Sequence, residues 1–231
     1  MDGRWLLLET SDAAQSGLAI DGRIAEALRL PKGREHNRAL VPGVQGLLER
    51  HGMKPADLTG IAVGIGPGSY TGLRIGVMLA KTLGYALGCP VVAVPTFPIL
   101  AAMVDGDGEV DAIADALKQT VYVQRFGAAN EAGVRVPLDS LRAVKLAEWM
   151  ATLREGATVT GPGLELHAAA LPATVRSVPV DADGVLVALL KLVPHIAALT
   201  REELFAIEPL YVRGSSAEEK AKEARLSEPD A

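Results

Sequence analysis

Short apolar runs alternate with amphipathic stretches along the first hundred residues, which is the pattern of an α/β domain. Three runs of strand type come first, and the Asp21-Gly22 pair between the last two predicts a hairpin turn. A helix follows Asn37, and later strands alternate with two more helices. The predicted elements are strands at residues 5–8, 17–20, 24–28, 60–65 and 91–94, and helices at about 37–50, 71–87 and 96–104.

An acidic, glycine-containing segment, Asp105-Gly106-Asp107-Gly108, has the composition of a linker. A second and weaker round of elements follows it, with no residue-level repeat of the first. These elements are strands at 110–114, 120–126, 157–160 and 175–178, and helices at 145–153 and from 183 to about 199. We therefore predict an N-terminal lobe at 1–104, a smaller C-terminal lobe at 105–213, and a charged tail at 214–231 that is either an exposed helix or disordered.

Composition narrows the classes of protein that fit. A chain of 231 residues with 49% hydrophobic and 22% charged residues is neither disordered nor fibrous. A formal charge of −5 argues against a surface devoted to nucleic acid. The single cysteine, Cys89, excludes intrachain disulfides and cysteine-based metal clusters. Because no signal peptide and no membrane-spanning run is visible, we expect a cytoplasmic protein without membrane contact.

The strongest local signal is a glycine-rich segment between a predicted strand and a predicted helix, GIGPGSYTGLRIG at residues 64–76. Glycines allow close approach of the backbone, and the amides of a helix start favour an anion. The segment nevertheless lacks the Gly-Lys-Ser/Thr ending of a Walker A loop, and Ser69 replaces the third glycine of G-x-G-x-x-G. Two interpretations stay open: a nucleotide-binding loop, or a structural turn whose helix is capped by Ser69 or Thr71.

Small residues recur every four positions along the helix that follows, and they predict a smooth strip on one helix face. They are Gly72, Gly76, Ala80, Gly84 and Gly88. An interior glycine destabilises a helix by about 1 kcal/mol relative to alanine, so something is expected to pack closely against the strip. Either the chain's own sheet does so, or a helix of a second copy or of another protein.

These residues carry a resemblance to a known family. The segment GIGPGSYTGLRIGVMLAKTLGYAL closely resembles the signature of the TsaB (YeaZ) family, the bacterial partner subunits in the synthesis of threonylcarbamoyladenosine in tRNA. Other segments similar to the family are LLLETSDAAQSGLAI, REHNRALVP, AIADALKQTVYV and EPLYVR. The resemblance runs along most of the chain and is strongest over residues 1–100.

The resemblance implies an α/β fold with two lobes, related to actin, Hsp70 and sugar kinases (ribonuclease H-like), each lobe beginning with a three-stranded meander. It also implies a subunit that is not itself the catalyst. In the family TsaB pairs with TsaD, which carries the metal and the nucleotide and transfers the threonylcarbamoyl group to the adenosine 3′ of the anticodon. The ATPase TsaE joins this pair, tRNA is bound mainly through TsaD, and isolated members form homodimers.

The resemblance places the contact with TsaD on the helices near residues 37–50 and 71–87. The partner-binding residues expected from it are His36, Leu40, Tyr70, Thr71, Gly72, Leu73, Arg74, Gly76, Val77, Ala80 and Gly84. No catalytic residue, metal ligand or cofactor is expected. No two of the four histidines are spaced four residues apart, as paired metal ligands on a helix would be, and Ser69 lacks the G-x-S-x-G elbow of a nucleophile.

Two positions depart from the family pattern. Glu9 stands where the first strand usually ends in aspartate, and Leu117 stands where a basic residue usually follows the aspartate of the Ala-Ile-Asp-Ala-Arg segment. The alternative function is an enzyme of the same superfamily that binds ATP between the lobes. It would use Glu9, Gly66, Gly68 and Asp115 around phosphates and a metal.

Overall fold

A computed structural model describes residues 2–12, 15–30 and 36–212 of the chain. The predictions for the tail at 214–231, for Arg213 and for the side chain of His36 lie outside the described residues.

The first sheet is an antiparallel meander continued by two parallel strands. It contains β1 (Arg4–Glu9), β2 (Gln15–Ile20), β3 (Arg23–Arg29), β4 (Gly60–Gly64) and β5 (Val91–Val94), in the spatial order β3-β2-β1-β4-β5. Asp21 and Gly22 have φ of 47° and 77°, which is the backbone geometry of the tight hairpin predicted between β2 and β3. All five strands predicted for this lobe are confirmed.

The second sheet repeats the same scheme. It contains β6 (Val110–Asp115), β7 (Thr120–Ala129), β8 (Arg135–Pro137), β9 (Arg142–Lys145), β10 (Thr158–Thr160) and β11 (Arg176–Val178). Their order is β11-β10-β6-β7-β8, with β9 beside the other half of β7. β7 is antiparallel to β6, whereas β10 and β11 are parallel to each other and β10 is parallel to β6. Two lobes with the same strand order form the α/β actin-like fold that was predicted.

Seven α-helices join these strands in the described part of the chain. They are α1 (His36–Arg50), α2 (Tyr70–Leu87), α3 (Thr96–Ala102), α4 (Leu146–Met150), α5 (Leu164–His167), α6 (Ala182–Leu192) and α7 (Arg201–Ala206). The helix expected from 183 to about 199 ends at Leu192, because Pro194 lies in a 3-10 turn that cannot continue it. The helix expected at 145–153 ends at Met150, where the Thr152 hydroxyl donates to the Trp149 carbonyl oxygen.

The two lobes share part of one apolar core. Helices α3 and α6 pack against each other; α6 also covers β1, β2 and β3 of the first sheet, and α3 contacts β6, β7 and β8 of the second. Side chains such as Leu7, Phe97, Phe126 and Leu189 belong to this shared core. A second core lies between the first sheet and helices α1 and α2. The lobe boundary at residue 104 stays a prediction. Helices α6 and α7 follow this boundary in the sequence but contact elements that precede it.

Candidate functional site

The glycine-rich loop before α2 packs against the chain itself. A Cβ atom at Gly68 would overlap the Ser11 carbonyl oxygen, and one at Gly72 would overlap the Thr10 carbonyl oxygen. The Ser69 hydroxyl caps α2 by accepting a hydrogen bond from the Gly72 amide at 3.2 Å. These contacts support the structural turn, with Ser69 as the cap, over a phosphate-binding loop.

The strip of small residues on α2 faces the first sheet from Gly72 to Gly84, whereas Gly88 is exposed and ends the helix as its left-handed C-cap. A Cβ atom at Gly76 would overlap the Thr10 side chain, and one at Gly84 would overlap the Val91 side chain. Ala80 between them is only 1% exposed. Of the two interpretations of the strip, packing on the chain's own strands is therefore the one observed.

This packing bears on the expected partner-binding residues. Seven of them are buried within the chain and offer little surface to another molecule. They are Leu40, Gly72, Leu73, Gly76, Val77, Ala80 and Gly84. Thr71 and Arg74 are exposed, and Tyr70 is half-buried. Partner contact stays a prediction for all of these residues.

The opposite side of α2 borders an open apolar groove of about 790 Å³. Met78 is 60% exposed in it, and Val41 of α1 is 54% exposed. Val77, another of the expected residues, reaches the groove although little of it is exposed. The remaining groove residues are Arg74, Ile75, Leu79, Lys81, Thr82, Leu83, Ile207, Glu208, Pro209 and Tyr211. Contiguous exposed apolar surface of this kind is typical of sites where proteins bind other molecules.

The segment after α7, residues 207–211, forms one side of this groove, and we call it the C-terminal strap. Lys81 Nζ donates to the Ile207 carbonyl oxygen at 3.3 Å, and the Leu210 amide donates to the Ile65 carbonyl oxygen at 2.7 Å. The Tyr211 ring lies against the Tyr70 ring, with 4.9 Å between their centroids. The strap therefore runs antiparallel to α2 and ends beside its first turn.

The apolar surface continues toward the end of α2. Tyr85 and Phe205 of α7 are 54% and 55% exposed, and their rings meet edge to face with centroids 5.2 Å apart. Sequence reasoning missed Met78 and Tyr85 as surface residues. Their spacing of seven positions, which puts them on one helix face, is the signal that could have found them.

The region between the lobes is built around Glu9, at the end of β1. Its carboxylate accepts hydrogen bonds from the Ser11 amide at 2.7 Å and from the Thr96 hydroxyl at 3.1 Å. Glu9 is only 3% exposed, and this burial raises its pKa, an effect that the bonds from Ser11 and Thr96 oppose. The cavity beside it measures about 20 Å³, which is room for one water molecule.

The four residues of the nucleotide-binding alternative all make contacts within the chain. Glu9 binds Ser11 and Thr96, as described, and the Gly66 amide donates to the Thr96 hydroxyl oxygen at 3.1 Å. Gly68 packs on Ser11. Asp115, at the end of β6, lies 3.1 Å from His167 Nε2 and accepts from the Leu117 amide at 3.2 Å.

The described residues contain neither a cluster of metal ligands nor a helix that could span a membrane. Within residues 2–12, 15–30 and 36–212, no group of three or more histidine, cysteine, aspartate or glutamate side chains is arranged to hold a metal ion. In the same part of the chain, no helix has both the length and the apolar character needed to cross a membrane.

Comparison with known proteins gives consistent matches. A family model described as TsaD, tRNA N6-adenosine threonylcarbamoyltransferase, matches residues 31–222. The tRNA threonylcarbamoyladenosine biosynthesis protein TsaB of Bacillus subtilis (strain 168) is 39% identical over 156 residues, which are 65% of this chain and 66% of that protein. The protein of the same name from Escherichia coli (strain K12) is 33% identical over 123 residues, 52% of this chain and 53% of that protein.

The chain thus spans about half to two thirds of these curated relatives. The solved structure of YeaZ from Pseudomonas aeruginosa superimposes with a TM-score of 0.71 at 27% identity, over 91% of this chain and 100% of that one. The family model, the two relatives and this structure all indicate the relationship that the sequence segments suggested. The chain therefore belongs to the family that the TsaD model describes and, within it, to the TsaB (YeaZ) family.

Proposed function

We propose that this chain acts in the synthesis of threonylcarbamoyladenosine in tRNA, as a non-catalytic subunit that pairs with the transferase TsaD. The transferase binds the tRNA and moves the threonylcarbamoyl group to the adenosine 3′ of the anticodon. This chain supports that transfer through its first lobe, in a larger assembly that TsaE joins. The relatives from Bacillus subtilis and Escherichia coli, which are named for this biosynthesis, support the pathway, and the surface of the first lobe supports the pairing.

The observation that carries the proposal is the apolar groove beside α2. Met78 and Val41 expose apolar side chains in it, and burying them against a partner would contribute favourable free energy of binding. The transferase model matches a span of this chain that includes α1 and α2, so the partner has related elements. Two related chains can pair through equivalent helix faces in a nearly two-fold arrangement. The same face would support a homodimer of the isolated chain, which would then compete with the transferase.

The alternative of ATP binding between the lobes has no comparable support. The cavity next to Glu9 is about 20 Å³, far below the several hundred Å³ of typical ligand pockets. Calorimetry of the isolated full chain with ATP and magnesium separates the two functions. We expect no binding heat, and tight binding would favour the enzyme.

The pairing is tested by replacing two exposed apolar side chains of similar size with aspartate, one inside the groove and one outside it. Met78→Asp places a charge in the groove, and Leu166→Asp places one on α5, where Leu166 is 68% exposed. We expect Met78→Asp to weaken binding to TsaD from the same organism by roughly tenfold or more, and Leu166→Asp to leave it unchanged. Circular dichroism confirms that both variants are folded. Equal affinities for both variants and the wild type would contradict pairing through the groove.

A further inference from the structure

We propose that the C-terminal strap is itself part of the docking surface, and that the stacking of Tyr211 on Tyr70 sets its position for the partner. This inference rests on the proposed function, because it takes the transferase as the molecule that occupies the groove. Its new content is that a segment distant from α2 in the sequence, 126 residues apart at the Lys81–Ile207 contact, recognises the same partner as the helix.

The two contacts are compatible with an extended strap. From Lys81, which contacts Ile207, to Tyr70, which contacts Tyr211, α2 rises about 16 Å. Four extended residues cover about 13 Å, and the side chains of Lys81 and Tyr70 reach across the rest. The two contacts therefore fix the line along which the strap follows the groove.

One of the hydrogen bonds that hold the strap comes from a residue of the groove. Lys81, whose ammonium donates to the Ile207 carbonyl oxygen, lines the groove itself. At the other end, the Leu210 amide donates to the Ile65 carbonyl oxygen in the loop that leads into α2. The strap residues Ile207, Glu208, Pro209 and Tyr211 line the groove together with α2. A partner helix lying in the groove would thus contact α2 and the strap together.

The strap has the composition of an interface wall. Ile207, Pro209 and Tyr211 give it apolar side chains, and all three line the groove. The Arg74 guanidinium lies over the Tyr70 ring, 4.7 Å from its centroid, and the Tyr211 ring packs against the same ring, so that Arg74, Tyr70 and Tyr211 form one cluster. Tyrosine and arginine, together with tryptophan, are enriched among the residues that dominate binding energy at interfaces. The structure therefore assigns an anchoring role to this cluster at the rim of the groove.

The chemistry of the groove indicates what kind of surface binds there. Its floor is apolar, and two cations, Arg74 and Lys81, stand beside it with one carboxylate, Glu208. An amphipathic helix of the transferase fits this arrangement, with an apolar stripe along the floor and an acidic residue facing Arg74.

The test compares Tyr211→Ala with Tyr211→Phe in the full chain, using TsaD of the same organism as the titrant. We expect Tyr211→Ala to raise the dissociation constant roughly tenfold or more, and Tyr211→Phe, which keeps the ring, to stay within about threefold of the wild type. Wild-type affinity of the folded Tyr211→Ala variant would overturn the role of the strap.

Met78→Asp separates this inference from the proposed function. If Met78→Asp abolishes binding while Tyr211→Ala does not change it, the strap role fails and the docking groove stands. If neither variant changes binding, the groove itself is not the docking surface, and both ideas fail.

Hydrogen exchange of the wild-type chain, alone and bound to TsaD, is a second test of the strap. It needs no variant, so it is valid even if Tyr211→Ala does not fold. We expect exchange at residues 207–211 to slow by roughly tenfold or more when TsaD binds, since docking would bury the strap. Unchanged exchange there, in a complex that does protect α2, would overturn the inference even if Tyr211→Ala proved unstable.

Discussion

The side chain of Thr10 fills the space next to Gly76, so that a Cβ atom at Gly76 would overlap the Thr10 hydroxyl. Thr10 directly follows β1, and Gly76 lies in the second turn of α2. Their contact therefore sets how closely the helix approaches the sheet. Thr10 is 1% exposed, and its hydroxyl has no hydrogen-bond partner among residues 2–12, 15–30 and 36–212. The glycine at position 76 thus serves packing within the lobe.

We expect Gly76→Ala to destabilise the isolated chain. Alanine is favoured over glycine in a helix by about 1 kcal/mol, but the new methyl group would displace a buried β-branched side chain. Overpacking of this kind lowers the free energy of unfolding by about 1–3 kcal/mol. Urea denaturation of wild type and variant measures the difference.

Thr10→Ala provides the control for this contact. It removes the hydroxyl and the methyl group that the new Cβ would meet, so Thr10→Ala/Gly76→Ala should recover most of the stability lost by Gly76→Ala. A Gly76→Ala variant as stable as the wild type would show that the helix can move away from Thr10 without loss.

The strip on α2 illustrates how far the sequence could predict the site. A four-residue spacing shows that small residues share one helix face, but it does not show what lies opposite. Both faces of α2 are partly apolar, since Met78 and Tyr85 lie on the side away from the sheet. Which face of α2 packs on the sheet depends on contacts with other elements of the lobe, such as Thr10 and Val91, which the sequence of α2 does not reveal. The helix, its ends and the lobe were therefore predictable, whereas the exposed groove was not.

The C-terminal strap was missed for a different reason. An extended segment without alternation has no periodic pattern, and its position depends on bonds to distant residues such as Ile65. The short strands β8 and β9 also escaped prediction, although β10 and β11, which are as short, were predicted. Helix α7, in contrast, does carry a local signal, the capping box of Thr200 and Glu203.

Glu9 predicts a pH dependence of stability. Because burial raises its pKa above the ordinary value of 4.5, the folded chain retains a proton that the unfolded chain has already released. The stability that protonated Glu9 provides is complete below that ordinary value and is lost as the pH rises through the pKa of the folded state. The slope is at most about 1.4 kcal/mol per pH unit.

The measurement compares Glu9→Gln with the wild type by urea denaturation between about pH 4 and pH 8. The glutamine oxygen can still accept from the Ser11 amide, its NH2 group would donate to the Thr96 hydroxyl oxygen in place of the present bond, and the amide does not titrate in this range. We expect Glu9→Gln to gain stability relative to the wild type as the pH increases. Two parallel pH profiles would contradict this prediction, because they would show that the pKa of Glu9 is the same in the folded and the unfolded chain.

The hairpin between β6 and β7 holds three consecutive residues in the left-handed backbone region. Leu117, Lys118 and Gln119 have φ of 61°, 50° and 55°. Each non-glycine residue there carries a penalty of roughly 1–2 kcal/mol, from which glycine is free. We expect Gln119→Gly to raise the free energy of unfolding by roughly 1 kcal/mol in thermal or urea denaturation. Gln119→Ala, which removes the side chain but keeps the Cβ atom, should show no such gain, and an equal gain would refute the backbone explanation.

Arg135 binds the segment that composition identifies as a flexible linker. Its Nη1 atom donates to the carbonyl oxygens of Gly108 at 2.6 Å and Gly127 at 2.8 Å. Its Nη2 atom donates to those of Val104 at 3.0 Å and Gly106 at 2.5 Å. Burial lowers the pKa of Arg135, and the charges of the nearby aspartates oppose this change. The linker between the lobes is thus fixed to the second sheet by one guanidinium group.

Replacement of Arg135 by lysine should release this linker. One ammonium group cannot reach four carbonyl oxygens in the geometry of a guanidinium, so the buried Val104 acceptor or several of the three partly buried ones would lose their donor. We expect Arg135→Lys to lower the free energy of unfolding by about 2–4 kcal/mol and to speed hydrogen exchange at residues 104–108. Arg142→Lys is the matched control, because Arg142 pairs with Asp139 at a more exposed site and should lose less than about 1 kcal/mol. Equal losses for the two variants would mean that the linker is held by the shared core of α3 and α6, without a contribution from Arg135.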